Sequence, residues 1–183
     1  MPKCDVVLTA LPGVSPAYSP IAICGMGMRL PGNISNATDL WQFLITGGDA
    51  RSEVPADRWD ARSFQTKGPS SGTTMSRHGY FLRGRDLSLF DKDAFPSISR
   101  KEAEQLDPQQ RVLMEVVQEC FESAGETGWQ RKNIGCFVGS FSDDYLDLQA
   151  KDPLYTGFYK LTGALDFAVA NRISYQYDLR GPR

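Results

Sequence analysis

The chain has 183 residues, a length that suits one domain or a large piece of one. Its composition, 41% hydrophobic and 23% charged, is ordinary for a soluble globular protein. A formal net charge of -2, with no basic run longer than a pair, argues against a nucleic-acid or membrane-surface partner. No apolar stretch approaches the length of a membrane span.

The cysteines and the single histidine also restrict the possible chemistry. Cys4, Cys24, Cys120 and Cys136 are widely separated and include no C-x-x-C pair, so a disulfide framework is not expected. A reduced, cytoplasmic setting fits this pattern better. With His78 as the only histidine, the chain offers no ordinary zinc-ligand set. We predict no metal site and no cofactor-binding site in this chain.

The N-terminal part predicts a leader followed by a strand. Residues 1–19 contain several prolines and serines and lack a basic n-region, which predicts a flexible leader rather than a signal peptide. The apolar run at 21–24 predicts a buried strand, and the Gly-Met-Gly sequence at 25–27 predicts a tight exit from it. A dinucleotide-binding loop would need a third glycine where the chain has Leu30, which disfavours that alternative.

A short helix and a surface excursion are predicted next. Thr38 or Asp39 is placed to cap a helix through residues 40–44, and the glycines at 47–48 would end it. Residues 63–76 are polar and rich in glycine and serine, which is typical of a surface excursion.

The strongest helix signal covers residues 107–124. Asp107 is a good N-cap, Pro108 suits the first helical position, and Gln110 stands where a capping box needs it. Apolar residues then recur at helical spacing, and Gly125 can close the C-terminus.

Further elements complete an alternation of strands and helices. Residues 99–102 (Ser-Arg-Lys-Glu) form a second capping box, which predicts a short helix ending before Asp107. The almost wholly apolar segment 134–139 predicts a strand buried on both faces, and residues 162–173 predict another helix. This alternation favours an α/β fold with a parallel sheet between helical layers.

No local group of residues predicts an active site. His78 follows the polar excursion without a nucleophile near it in sequence, so a solvated or packing role is favoured over a general base. The pairs Asp91/Asp93 and Asp143/Asp144 stand in turn-like contexts, which favours solvated or capping carboxylates over metal ligands or an acid/base couple. The G-x-S-x-G, H-E-x-x-H and Walker motifs are absent.

Several segments match known motifs in order along the chain. Residues 107–111 (DPQQR), followed by an apolar helix and an E-x-A-G ending at 122–125, resemble a D-P-Q-Q-R-x-x-L-E signature. Residues 20–32 (PIAICGMGMRLPG) are similar to P-I-A-I-x-G-x-x-x-R-x-P-G, and residues 170–175 (ANRISY) and 178–182 (DLRGP) resemble A-N-R-I-S-Y-x-x-D-L-x-G-P. Through these motifs the chain resembles the ketosynthase (β-ketoacyl synthase) domains of type I polyketide synthases.

The resemblance extends without a gap over residues 20–183. Residues 140–145 (SFSDDY) most resemble fungal, highly reducing synthases. Pro96 departs from the family pattern, since it replaces the second Phe of F-D-x-x-F-F-x-I-S. The remaining segments that match in order are 40–44 (LWQFL), 58–60 (RWD), 90–99 (FDKDAFPSIS) and 135–139 (GCFVG).

The resemblance implies a thiolase-like α/β fold with α-β-α-β-α layers, of which this chain would be the incomplete N-terminal portion. It also implies a homodimer and decarboxylative Claisen condensation. In that reaction a cysteine holds the acyl chain as a thioester. Two histidines assist decarboxylation of a malonyl group that phosphopantetheine carries on an acyl-carrier protein.

The resemblance assigns no catalytic residue to this chain. In the family, G-P-S is followed within a few residues by T-A-C-S-S, which contains the nucleophile, whereas residues 181–183 here read Gly-Pro-Arg. None of the four cysteines matches the nucleophile, and His78 matches neither family histidine.

We therefore interpret residues 20–183 as a ketosynthase segment truncated before the nucleophile and inactive alone, from a cytoplasmic parent in polyketide biosynthesis. Acyl-carrier protein and other synthase domains would be the parent's partners. Two alternatives remain open. One is another enzyme on the same scaffold, and the other is a non-catalytic protein that pairs with an intact synthase.

Overall fold

Helices dominate the part of the chain that the structure describes. The computed structural model describes residues 21–83, 89–152, 154 and 157–183, so the predicted leader lies outside it. The elements are α1 (Ala37–Ile45), β1 (Arg51–Glu53), β2 (His78–Tyr80), a 3-10 helix (Lys92–Ala94), α2 (Arg100–Gln105), α3 (Pro108–Ser123), α4 (Asp144–Ala150), α5 (Lys160–Ala164) and α6 (Phe167–Gln176).

The longest helix, α3, confirms the prediction for residues 107–124. The Asp107 carboxylate accepts a hydrogen bond of 2.7 Å from the Gln109 backbone N–H, and Pro108 occupies the first turn. At the other end Gly125 has a φ of 69°, and its N–H donates to the Glu122 carbonyl over 3.0 Å. Glycine adopts this left-handed conformation without strain, which explains why α3 ends there.

The capping box predicted for α3 is wrong, because both of its groups have partners in α5. The Asp107 N–H donates to the Gly163 carbonyl over 2.7 Å instead of bonding the Gln110 side chain. The Gln110 amide donates to the Thr162 carbonyl over 3.3 Å. The start of α3 is therefore joined to the end of α5.

The two shorter predicted helices are present with different caps. In α1 the cap is Asn36, whose side-chain oxygen accepts from the Asp39 N–H over 2.9 Å, so the predicted cap at Thr38 or Asp39 is wrong. In α2 the Ser99 hydroxyl accepts from the Glu102 N–H over 3.1 Å, as predicted. The Glu102 carboxylate, however, pairs with a distant arginine instead of completing the capping box.

The single helix predicted over 162–173 is two helices. Between α5 and α6 the backbone of Leu165 is extended, and the Asp166 carboxylate accepts from the Phe167 N–H over 2.6 Å. Asp166 thus begins a new helix in the middle of a continuous apolar pattern.

The two predicted buried strands are not strands in the described structure. Ile21 and Ile23 are 96% and 82% exposed. Residues 132–136 instead exchange three backbone hydrogen bonds of 2.8–3.2 Å with residues 180–182. These bonds advance in the same direction along both segments, as in parallel pairing, but they are too few for a strand. The described sheet is a short antiparallel one, in which β1 pairs with β2.

The core of the described residues lies between α2, α3, α6 and the segment 134–138. Phe95, Leu106 and Met114 are almost completely buried in it. The Tyr177 hydroxyl donates to the Met114 carbonyl over 2.8 Å, and burial raises the pKa of this phenol. This hydrogen bond satisfies the buried hydroxyl, which would cost about 1–3 kcal/mol if it were left without a partner.

The outer side of segment 134–141 leaves aromatic surface uncovered. Phe137 is 82% exposed and Phe141 is fully exposed, whereas Cys136, the residue before Phe137, is buried. We expect the chain to bind a dye that fluoresces on apolar surface, and Phe137→Ser with Phe141→Ser to reduce that fluorescence. Met75→Ser, which removes an isolated exposed side chain, is the control. Equal fluorescence from both variants and the parent chain would contradict this expectation.

Candidate functional site

An apolar cavity of about 510 Å³ lies beside the N-terminal half of α3. Two chain segments, 27–30 and 138–142, form part of its wall, and Ala164 and Val169 contribute from α5 and α6. Its volume falls in the range of about 300–1,000 Å³ that is typical of small-molecule sites. The polar groups at the wall include Arg29, Asp107, Ser140 and Asp166.

The segment before this wall lies directly against the backbone of α3. A Cβ atom at Gly27 would be 2.3 Å from the Val116 carbonyl oxygen, and one at Gly25 would be 2.4 Å from that of Cys120. These glycines therefore permit close contact with a helix, which corrects their interpretation as a tight exit from a strand.

Arg29 holds the same segment to α3 through a charge pair. Its guanidinium forms two hydrogen bonds with the Glu119 carboxylate, one of 2.7 Å. The hydrogen bond with Glu119 raises the pKa of Arg29, so the arginine stays charged. Glu119 was not identified from the sequence, because a helical glutamate gives no local sign of a partner 90 positions away.

The DPQQR residues connect three elements around the cavity. Gln109 donates its side-chain amide to the Ser142 carbonyl over 3.3 Å, and Gln110 reaches α5 as described above. Arg111 is buried at the base of α3. Burial raises the pKa of Asp107, although its hydrogen bonds with Gln109 oppose this shift. The motif therefore has a structural role, since it links the start of α3 to α5 and to the segment at Ser142.

The residues weighed as catalytic candidates are not brought together. His78 is exposed in β2, and Asp91 caps the 3-10 helix by accepting from the Asp93 and Ala94 N–H groups over 3.1 and 3.3 Å. Asp143 precedes α4 without a capping hydrogen bond from its side chain. The absence of catalytic, cofactor-binding and metal-binding residues from the chain stays a prediction.

The described cysteines differ in their exposure. Cys24 is exposed, Cys120 is half-buried, and Cys136 is buried in the core. Burial raises the pKa of the Cys136 thiol, so the thiolate that a nucleophile requires is disfavoured. No described cysteine or histidine lines the apolar cavity.

Comparison with known proteins identifies the family. The domain described as "Beta-ketoacyl synthase, N-terminal domain" matches residues 18–183. The chain belongs to this family and has the N-terminal portion of a thiolase-like α/β ketosynthase fold.

The matching relatives are fungal polyketide synthases. The chain is 56% identical over 163 residues to the highly reducing polyketide synthase g433 of a Fusarium species, covering 89% of this chain and 6% of that synthase. It is 48% identical over 167 residues to the highly reducing polyketide synthase gloL of Glarea lozoyensis, covering 91% of this chain and 7% of that one. The chain therefore spans only 6% and 7% of the length of these two synthases.

Solved ketosynthase domains show the same fold. The ketosynthase from module 6 of the bacillaene synthase of Bacillus subtilis matches with a TM-score of 0.72 and 28% identity, over 88% of this chain and 25% of that one. The oxazolomycin ketosynthase domain OzmH KS7 of Streptomyces albus matches with a TM-score of 0.67 and 31% identity, over 87% and 27%. Among the described residues, every helix is too short or too polar to cross a membrane.

Proposed function

We propose that this chain serves as the N-terminal part of a polyketide-synthase ketosynthase, whose parent condenses acyl and malonyl thioesters with loss of carbon dioxide. The catalytic cysteine and two histidines would come from residues outside this chain. The acyl groups would arrive on the phosphopantetheine of an acyl-carrier protein. The parent in this proposal is a cytoplasmic homodimer that contains further synthase domains.

The observation that carries this proposal is the pairing of residues 180–182 with residues 132–136. In this pairing the Cys136 N–H donates to the Pro182 carbonyl over 2.8 Å. A Cβ atom at Gly181 would lie 2.3 Å from the Ile134 carbonyl carbon, so the two backbones are in direct contact. In the family the nucleophile follows this Gly-Pro sequence within a few residues. The pairing therefore supports a structural role in positioning the nucleophile.

The apolar cavity supports the same proposal from the substrate side. Its wall combines aliphatic side chains such as Val112, Leu113 and Val116 with a few polar groups. Such a lining suits an acyl chain, because burial contributes about 0.8 kcal/mol for each methylene group. The polar groups would face the thioester end.

The chain alone and a chimaera test the proposal together. With acyl and malonyl thioesters, we expect the chain alone to form no ketide product detectable by mass spectrometry. In the chimaera, this chain replaces its matching residues in the ketosynthase of the Fusarium synthase, and we expect condensation to persist. Product from the chain alone, or a folded but inactive chimaera, would contradict the proposal.

Within the chimaera, Gly181→Ala tests whether the pairing of residues 180–182 with residues 132–136 matters for catalysis. The added methyl group would push residues 180–182 away from Ile134 and misplace whatever follows, so we expect condensation to slow by about tenfold or more. Gly128→Ala is the matched control, since a Cβ atom there has no heavy atom within 4 Å. Equal rates for the two variants would contradict the positioning role.

The exposed side of segment 134–141 favours a second candidate, a non-catalytic protein that pairs with an intact synthase. Phe137 and Phe141 would provide its contact surface. This candidate predicts co-purification with a full-length synthase and no acylation of the chain by a substrate thioester. If Phe137→Ser with Phe141→Ser leaves that co-purification unchanged, the candidate is wrong.

A further inference from the structure

A second cavity, of about 500 Å³, lies beside the β1–β2 sheet and shares no lining residue with the apolar cavity. Three arginines, Arg62, Arg77 and Arg83, are among the residues that line it, together with the indole of Trp59. Guanidiniums that lie around one cavity repel one another, and each carries five N–H donors that need acceptors.

The acidic groups at this cavity do not use the donors of these arginines fully. The nearest guanidinium nitrogens of Arg77 and Arg62 lie 3.7 and 3.9 Å from the two carboxylate oxygens of Glu53. Both distances are longer than a hydrogen bond, so two guanidiniums share one carboxylate only loosely. Asp60 also lines the cavity, but its carboxylate accepts from the Ser63 hydroxyl and from the backbone N–H groups of residues 62 and 63.

The backbone holds the third arginine in place. Arg83 donates from its guanidinium to the Glu53 carbonyl over 2.8 Å, which brings its remaining donors to the same wall. The local charge is also opposite in sign to that of the whole chain. Residues 51–83 contain six basic and three acidic residues, a net charge of +3, whereas the whole chain carries -2.

We propose that this cavity binds the phosphate group of a phosphate ester. A tetrahedral phosphate presents acceptor oxygens outside a single plane, so it can bond guanidiniums from more directions than a planar carboxylate can. The cavity has room beyond the phosphate, and Val54, Ala56 and Trp59 would contact the organic part of the ester. This site is independent of the proposed condensing function.

Labelling of arginines with phenylglyoxal, followed by peptide mass mapping, tests the site in the 183-residue chain. The probes are phenyl phosphate and inorganic phosphate, compared at constant ionic strength. At a phenyl phosphate concentration ten times its Kd, we expect labelling of Arg62 and Arg77 to fall about tenfold. Arg100 is the internal control, because it is exposed and pairs with Glu104 in the same helix. Unchanged labelling, or equal protection of Arg100, would overturn the proposal.

The two probes separate a phosphate ester from free phosphate. We expect phenyl phosphate to protect at a lower concentration than inorganic phosphate, because only the ester contacts Trp59. Protection by both probes at the same concentration would overturn the assignment to an ester.

Variants with opposite expected effects exclude a simple folding defect. Arg77→Gln should raise the Kd of phenyl phosphate about tenfold, since it removes a charged donor. Glu53→Gln should lower that Kd, because the carboxylate that competes for Arg62 and Arg77 is neutralised. Arg100→Gln should leave it unchanged. Weaker binding in Glu53→Gln, or an unchanged Kd in Arg77→Gln, would show that the cavity is not a phosphate site.

Discussion

Gly27→Ala is expected to lower the free energy of unfolding by about 3 kcal/mol, the upper part of the range for overpacking a tight contact. The added methyl carbon would lie 2.3 Å from the Val116 carbonyl oxygen and 3.1 Å from the Cys120 backbone nitrogen. Both atoms belong to the hydrogen-bonded backbone of α3, so they cannot move aside as the end of a flexible side chain could. Separation of the segment from the helix would also strain the Arg29–Glu119 pair.

Urea denaturation followed by circular dichroism measures this loss as a lower midpoint at an unchanged slope. Gly128→Ala is the matched control, because it adds the same methyl group where no heavy atom lies within 4 Å. We expect that control to change stability by no more than about 0.5 kcal/mol. Equal midpoints for the two variants would show that the segment does not pack on α3 in solution.

Glu102→Gln is expected to destabilise the chain by about 3 kcal/mol. The Glu102 carboxylate accepts a 2.7 Å hydrogen bond from Arg172, and the two side chains are only 18% and 12% exposed. Loss of the carboxylate charge leaves the arginine charge buried without its counter-ion, which costs about 3–5 kcal/mol for a fully buried pair. The second bond of Arg172, to the Thr162 carbonyl over 3.2 Å, offsets part of this loss.

The double variant Glu102→Leu with Arg172→Met distinguishes the loss of the ion pair from the cost of a buried arginine charge without a counter-ion. Replacement of both partners by apolar groups removes the charge and the pair together, so we expect stability close to that of the parent chain. Glu104→Gln is the control, because its pair with Arg100 is exposed and contributes about 0–1 kcal/mol. If Glu102→Gln and Glu104→Gln have the same denaturation midpoint, the Glu102–Arg172 pair does not stabilise the fold.

The helices were the most predictable part of the fold, because their signals are local. Asp107, Pro108 and Gly125 each act within one turn of α3, and the apolar residues between them repeat at helical spacing. The exceptions involve distant groups. Gln110 bonds Thr162 rather than its own helix terminus, and no local pattern around residue 110 indicates a partner 52 positions away.

The predicted strands failed for a related reason. An apolar run shows that a segment can be buried between neighbours, but a parallel sheet exists only where other strands supply the hydrogen bonds. Residues 21–24 have no such neighbour among the described residues, and residues 134–139 have a short one on one side. The same sequence pattern is therefore compatible with a buried strand or with an exposed extended segment.

The amino-acid sequence alone determined the helix α3, its caps, and membership of the β-ketoacyl synthase family, because a cap, a period and an ordered set of motifs can be read along one chain. The tertiary structure decided which groups meet. It brought Arg29 to Glu119, Arg172 to Glu102, and the arginines around Glu53 into one cavity. Such contacts depend on the path of the backbone between the partners. The sequence around each charged residue does not indicate that path, so the partner cannot be predicted from it.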